Sequence, residues 1–185
     1  RGLGDVYKRQ GLIGRSLEGV DRELLLDAVR AGLQNEDGRA RGSIGSVYTS
    51  LTYEEIEPLL PAIHRAIVEP APSGIMFAHE IRMAGLELFT RYRISEGIEL
   101  LADYVRNQKQ HASEKRIVEI LEMLEQYGAH AQRVVPRLEA TASFFENEEQ
   151  DFPRHLSLGK AQRVREAIAT IEASTDEPEL IHLEQ

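Results

Sequence analysis

Residues 58–106 read PLLPAIHRAIVEPAPSGIMFAHEIRMAGLELFTRYRISEGIELLADYVR, and their periodicity decides the fold class. Ile63 and Ile67 carry one apolar stripe, Ile81, Ala84 and Leu88 a second, and Ile98, Leu101 and Val105 a third. Each set recurs at i, i+3, i+4 or i+7, the spacing that puts residues on one face of an α-helix. No such helix hides its stripe alone, so the helices are expected to lie against one another. The expected fold is all-α, an α-solenoid of antiparallel helix pairs with no sheet.

On the N-terminal side, Thr52-Tyr53-Glu54-Glu55 has the S/T-x-x-E form of a capping box and predicts a helix starting there. Pro58 and Pro61 lack an N–H, so a bend or restart near Pro58 leaves a straight piece to about Val68. Asp21 is the expected N-cap of a helix over 22–34, with Val29 and Leu33 inward beside Leu25 or Leu26. Gly38 is expected in the left-handed turn that ends it, residues 38–45 as a loop, and Ser46 as the cap of a short helix through Leu51. Glu69 to Gly74, with two prolines, reads as a stiff turn.

On the C-terminal side the pattern predicts helices over 79–93, 96–108 (capped by Ser95), 114–127 (capped by Ser113), 130–145 and 158–173 (capped by Ser157). Ile117, Ile120, Leu121 and Leu124 line the third, and Gly128 is its natural stop. In the fourth, Val134, Val135, Leu138 and Ala142 face inward and Pro136 implies a bend; in the last, Ala161, Val164, Ile168 and Ile171 face inward. Gln108 to Ala112 reads as a polar loop, 146–151 as an acidic loop and 174–185 as a loose C-terminal tail.

The 185 residues suit one helical domain, expected over 11–173. Apolar content of 42% and charged content of 29% fit a globular chain, and no apolar run approaches the ~18 residues of a membrane span. With no cysteine there is no disulfide framework, thiolate metal site or cysteine nucleophile. A net charge of −9 argues against nucleic-acid and anionic-membrane partners, which require a basic face. Residues 1–10, RGLGDVYKRQ, resemble a translated sequencing-adapter remnant and are set aside as non-native. That removal leaves −11 on the rest, and the native protein is expected to continue upstream.

Leu60-Pro61-Ala62, Leu101-Ala102-Asp103 and Val135-Pro136-Arg137 fall at comparable points, about 34–41 residues apart. Over residues 53–173 this pattern resembles degenerate HEAT repeats; an irregular helical bundle is the alternative. The stretches RGSIGSVYTSLTYEEIEPLLPAI (41–63), PAPSGIMF (70–77), IRMAGLELF (81–89) and YGAHAQRVVPRLE (127–139) carry a second resemblance. They resemble the C-terminal helical region of large uncharacterised bacterial proteins that carry a domain of unknown function upstream, sometimes with a PDZ-like module. That resemblance implies a non-catalytic helical end of a longer chain and assigns no catalytic residue.

The patterns that approach known chemistry each lack a part. Gly14 to Gly19 fails the nucleophile elbow G-x-S-x-G because Glu18 stands in the second glycine's place. Ser157-Leu158-Gly159-Lys160 matches the S-x-x-K of penicillin-binding enzymes but has no K-T-G companion, and reads as a helix cap with a solvated lysine. His79-Glu80 is followed by Met83 where the zinc pattern H-E-x-x-H needs histidine. The histidines at 64, 79, 111, 130, 155 and 182 form no i, i+4 pair. Glu54, Glu55 and Glu57 suit the positive end of a helix dipole. Glu146, Glu148, Glu149 and Asp151 lack the spacing of a calcium loop and read as a solvated acidic loop. No catalytic, cofactor-binding or metal residue is assigned.

One segment departs from its surroundings. Gly74-Ile75-Met76-Phe77-Ala78-His79 sets three large apolar side chains in a connection that should be polar. Either Ile75 and Phe77 fold back to plug a gap between helices, or Ile75, Met76 and Phe77 form a docking patch that Tyr48 and Tyr53 extend. The expected function is a non-catalytic helical-repeat module that holds a protein or an upstream domain of the same chain. The alternative is the helical accessory part of a hydrolase-type enzyme whose active site lies upstream.

Overall fold

The computed structural model describes residues 19–108 and 113–183. Their regular structure is helical: α1 (Arg22–Leu33), α2 (Gly38–Gly45), α3 (Tyr53–Ile56), α4 (Leu60–Val68), α5 (Ala78–Arg91), α6 (Glu96–Arg106), α7 (Ser113–Glu125), α8 (Val135–Asn147) and α9 (Arg154–Ala173). Short 3-10 segments cover Tyr48–Ser50, Glu57–Leu59, Ile75–Phe77 and Gly128–Val134. Among the described residues there is no strand, only the isolated bridges Asp37 to Ser73 and Ile94 to Ile181. Of the expected polar loop over 108–112, Gln108 is buried, while residues 109–112 and the segments 1–10 and 11–18 lie outside the described residues. Contacts divide the chain into two compact units, Arg1–Leu88 and Phe89–Gln185.

In the first unit, Asp21 caps α1 as its chemistry predicts, its carboxylate accepting from the amides of Glu23 (3.0 Å) and Leu24 (3.2 Å). Leu25, Val29 and Leu33 are buried, so Leu25 rather than Leu26 completes the inward stripe. The expected loop over 38–45 is instead helix α2. Asp37 caps it by accepting from Arg39 N at 2.9 Å, and Gly38 opens the helix rather than turning left-handed. Its Gly/Arg/Ser composition reads as loop, yet Gly45 lets Ala84 of α5 come so close that an added Cβ would lie 2.5 Å away. Ser46 closes α2 instead of capping a helix, and only the turn Tyr48–Ser50 follows.

The capping box forms, with Thr52 N donating to Glu55 Oε2 at 2.9 Å. The same carboxylate takes Arg22 Nε at 2.7 Å and Nη2 at 2.6 Å, tying α1 to α3 through a two-pronged charge-assisted contact. Pro58 lies in the 3-10 turn and Pro61 in the first turn of α4, where a missing N–H is harmless. Helix α4 buries Leu60, Ile63, Ala66 and Ile67, and α5 buries Ile81 and Leu88 with Ala84 half-buried.

In the second unit, α6 packs on α7, α8 on α9, and α9 on α7. Ile98, Leu101 and Val105 of α6 and Ile117, Ile120, Leu121 and Leu124 of α7 are buried. Ser95 makes no cap; its hydroxyl and carbonyl receive Arg133 Nη2 at 3.3 and 2.8 Å. Gly128 is left-handed at φ 59°, but Gly128–Val134 then runs as 3-10 helix and α8 begins only at Val135. Pro136 therefore sits in a first turn and imposes no bend, matching Pro61 in α4. Leu101, at the middle one of the three matching points, lies mid-helix instead.

Residues 174–183 are not a loose tail. Gln132 Nε2 reaches the carbonyls of Ile171 (3.2 Å), Glu172 (3.4 Å) and Ser174 (3.1 Å), satisfying the open end of α9. Beyond it, backbone groups of Asp176 and Ile181 pair with those of Ala129, Arg93 and Ser95. Those bonds hold the segment in an extended course.

Candidate interaction site

The apolar segment of the first unit is built from two loops that brace each other. Ser73 N and Ser73 Oγ both donate to Glu36 O at 2.9 Å, and Gly38 N returns a bond to Ser73 O at 2.9 Å. Gly74 then takes a left-handed turn at φ 64°, which a side chain would resist. Phe77 N closes the following 3-10 turn on Gly74 O at 2.9 Å, and His79 Nδ1 stands 3.2 Å from Met76 O. A Cβ on Gly38 would lie 2.4 Å from Gly74 O, so the two backbones touch directly.

On this frame Ile75 is 67% exposed and Met76 64%, although both carry large apolar side chains. Ile75 does not fold back to fill a gap. Phe77 is half-buried, with the Arg39 guanidinium 4.8 Å above its ring. Tyr48 leaves the expected patch: it is buried in the core, its hydroxyl has no hydrogen-bond partner among the described residues, and burial pushes its phenol well above the usual range. Tyr53 is half-buried on α3, where its hydroxyl donates to Glu57 Oε1 at 3.4 Å. Sequence pattern found Ile75, Met76 and Phe77; it missed Arg39, because α2 was read as loop.

The S-x-x-K pair of the second unit is placed quite differently from expectation. Because α9 starts at Arg154, Ser157 is inside the helix and fully buried, and its hydroxyl caps nothing. Lys160 is 1% exposed rather than solvated. Its ammonium bonds Glu149 Oε1 at 2.8 Å and lies 3.5 Å from the Phe152 ring centre and 5.2 Å from that of Phe145. Glu149, expected in a solvated acidic loop, is buried with it. Glu146 lies in α8 and clamps Arg165 through two bonds of 2.8 Å, while Glu148 and Asp151 are exposed. The arrangement joins the α8–α9 connection to α9 through charge and aromatic faces, and closes both Ser157 and Lys160 to solvent.

Among the described residues no three His, Asp or Glu side chains gather to hold a metal ion, and no helix is long and apolar enough to cross a membrane. His130 Nε2 lies 3.0 Å from Pro178 O, His155 and His182 are exposed, His64 is half-buried, and His111 lies outside the described residues. A shallow cleft between α7 and α9 carries Glu122, Glu125, Arg163 and Glu166. Burial, then the Glu122 charge, raises the Glu125 carboxyl, while Arg163 pairs with Glu166 at 2.7 Å. Comparison of the chain with protein-family models, curated proteins and solved structures returned no match.

Proposed function

We propose that this chain is a non-catalytic helical module that binds another protein, or another domain of the same protein, through the turn at Ile75 and Met76. One observation carries the reading. Two large apolar side chains stand in solvent on a turn whose backbone is fixed by Gly74, Ser73 and Glu36. Apolar surface held out on a rigid frame gains free energy when a partner covers it, and little ordering entropy opposes that gain. The flexible Met76 adapts to the shape it meets.

The HEAT-like solenoid belongs to the same proposal. Support comes from the second unit, where α6 lies on α7, α8 on α9, and α9 on α7, so one helix pair leans on the next. The shared placement of Pro61 and Pro136 after 3-10 turns also favours a repeated unit. A stack of this kind offers an extended binding face. Burial of Ser157 and Lys160 favours a structural role for the S-x-x-K pair.

The test is the double substitution I75S/M76S. Both side chains are in solvent, so Tm is expected to stay within about 2 °C of the parent, as for surface changes of under ~0.5 kcal/mol. Association with the upstream region of the complete gene product, or with a partner purified on the parent chain, is expected to fall at least about tenfold. Unchanged association, or loss of folding, refutes the assignment.

A further inference from the structure

The segment 174–183 lies along residues 93–96 and 129–130 of the second unit in the manner of a bound peptide. It runs extended from the end of α9, and most of its fastening is through backbone groups. Ala129 N donates to Asp176 O at 2.7 Å, Ile181 N donates to Arg93 O at 3.0 Å, and Ser95 N donates to Ile181 O at 2.8 Å. Ile94 and Ile181 thereby form a parallel bridge. His130 Nε2 lies 3.0 Å from Pro178 O, and since a carbonyl only accepts, Nε2 carries the proton. Leu183 N faces both Glu96 carboxylate oxygens at 3.3 Å. Strand addition to a short exposed edge is a recurrent way of binding extended peptides.

The receiving side is shaped for this contact. Arg93 is the only non-glycine with positive φ among the described residues (54°), a conformation that costs free energy and turns its carbonyl toward Ile181. Tyr127 OH donates to Ile94 O at 3.0 Å and steadies the edge from within the core. Gly128 leaves room for the incoming chain: a Cβ there would lie 2.2 Å from Asp176 O. On the segment, Pro178, Leu180, Ile181 and Leu183 are half-buried while Thr175, Asp176, Glu177, Glu179 and His182 are exposed. Apolar residues grip and polar residues face out, as a separable ligand would be patterned.

We propose that residues 93–96 and 127–130 form an acceptor groove for an extended peptide, and that the chain's own residues 174–183 are its separable occupant in cis. This inference is independent of the turn at Ile75. The tether gives the cis segment an effective concentration in the millimolar range, so free peptide at micromolar concentration does not displace it while the chain is intact.

The experiment uses the full chain with a protease recognition site inserted after the exposed Thr175. After cleavage, a fluorescent peptide of residues 176–183 is added in excess and its anisotropy followed. The expected result is saturable uptake by the cut chain and none by the uncut chain. Uptake is expected to weaken about tenfold or more for a peptide carrying Ile181→Pro, which has no N–H for Arg93 O. Cut Gly128→Ala chain is expected to bind more weakly than cut parent chain. Retention of the cut segment without uptake overturns the proposal. So does loss of helical signal on cutting, or loss of the segment without rebinding of the peptide.

Discussion

Lys160 and Glu149 place two charges where the fold otherwise puts hydrocarbon. A lone ammonium or carboxylate at that depth is far more costly than the pair. Lys160→Met alone is therefore expected to destabilise the protein by about 3–5 kcal/mol, with Glu149→Gln in the same direction, and the double variant E149Q/K160M to recover most of the loss. Urea unfolding of the four proteins in a double-mutant cycle measures the coupling; additive losses contradict the pairing. Glu55 gives a pH signature. Its hydrogen bonds to Arg22 and then to the Thr52 amide lower its pKa from 4.5 to about 2. The folded state thus binds fewer protons than the unfolded state, so this contribution is present above pH 4.5 and is lost as pH falls through about 2. Glu55→Gln is expected to lower Tm at pH 7 and to narrow the gap from the parent as the pH is lowered toward 2.

Among the elements, those legible in the sequence are the ones whose signal is local. The Thr52 box, the Asp21 cap and the Ile98, Leu101, Val105 stripe each announce themselves within a turn or two. Thr52→Ala is expected to cost about 1 kcal/mol, measured by urea denaturation, because it removes a cap of α3. Ile63→Ala, in a fully buried position of α4, is expected to cost about 2–5 kcal/mol by the same measurement. The elements that were not legible depend on distant partners. Helix α2 looks like a loop because glycine and serine are weak helix formers, and its stability comes from Asp37 and from the close approach of α5. Segment 174–183 has no periodicity at all; its bonds to Ala129, Arg93 and Ser95 give it an extended course. Ser157 was misplaced by a boundary shift, since α9 starts at Arg154 without any side-chain cap.

At the scale of the molecule, composition and the 3.6-residue period were enough to predict an all-helical chain. They suggested one helical domain over 11–173 and did not reveal the two compact units into which contacts divide the chain, since that division depends on which stripes meet. For the candidate site, sequence named Ile75, Met76 and Phe77 because apolar residues in a connection are conspicuous. It included Tyr48 only by nearness in sequence, and the core claims that side chain. The functional reading rests on what covers Ile75 and Met76. A photo-crosslinking amino acid at position 76, with the complete gene product in the cells that carry it, tests this most directly. The account predicts one dominant adduct, to a defined segment of a partner or upstream domain, suppressed by excess parent chain but not by I75S/M76S. Absence of an adduct at position 76, or equal suppression by the two competitors, contradicts it.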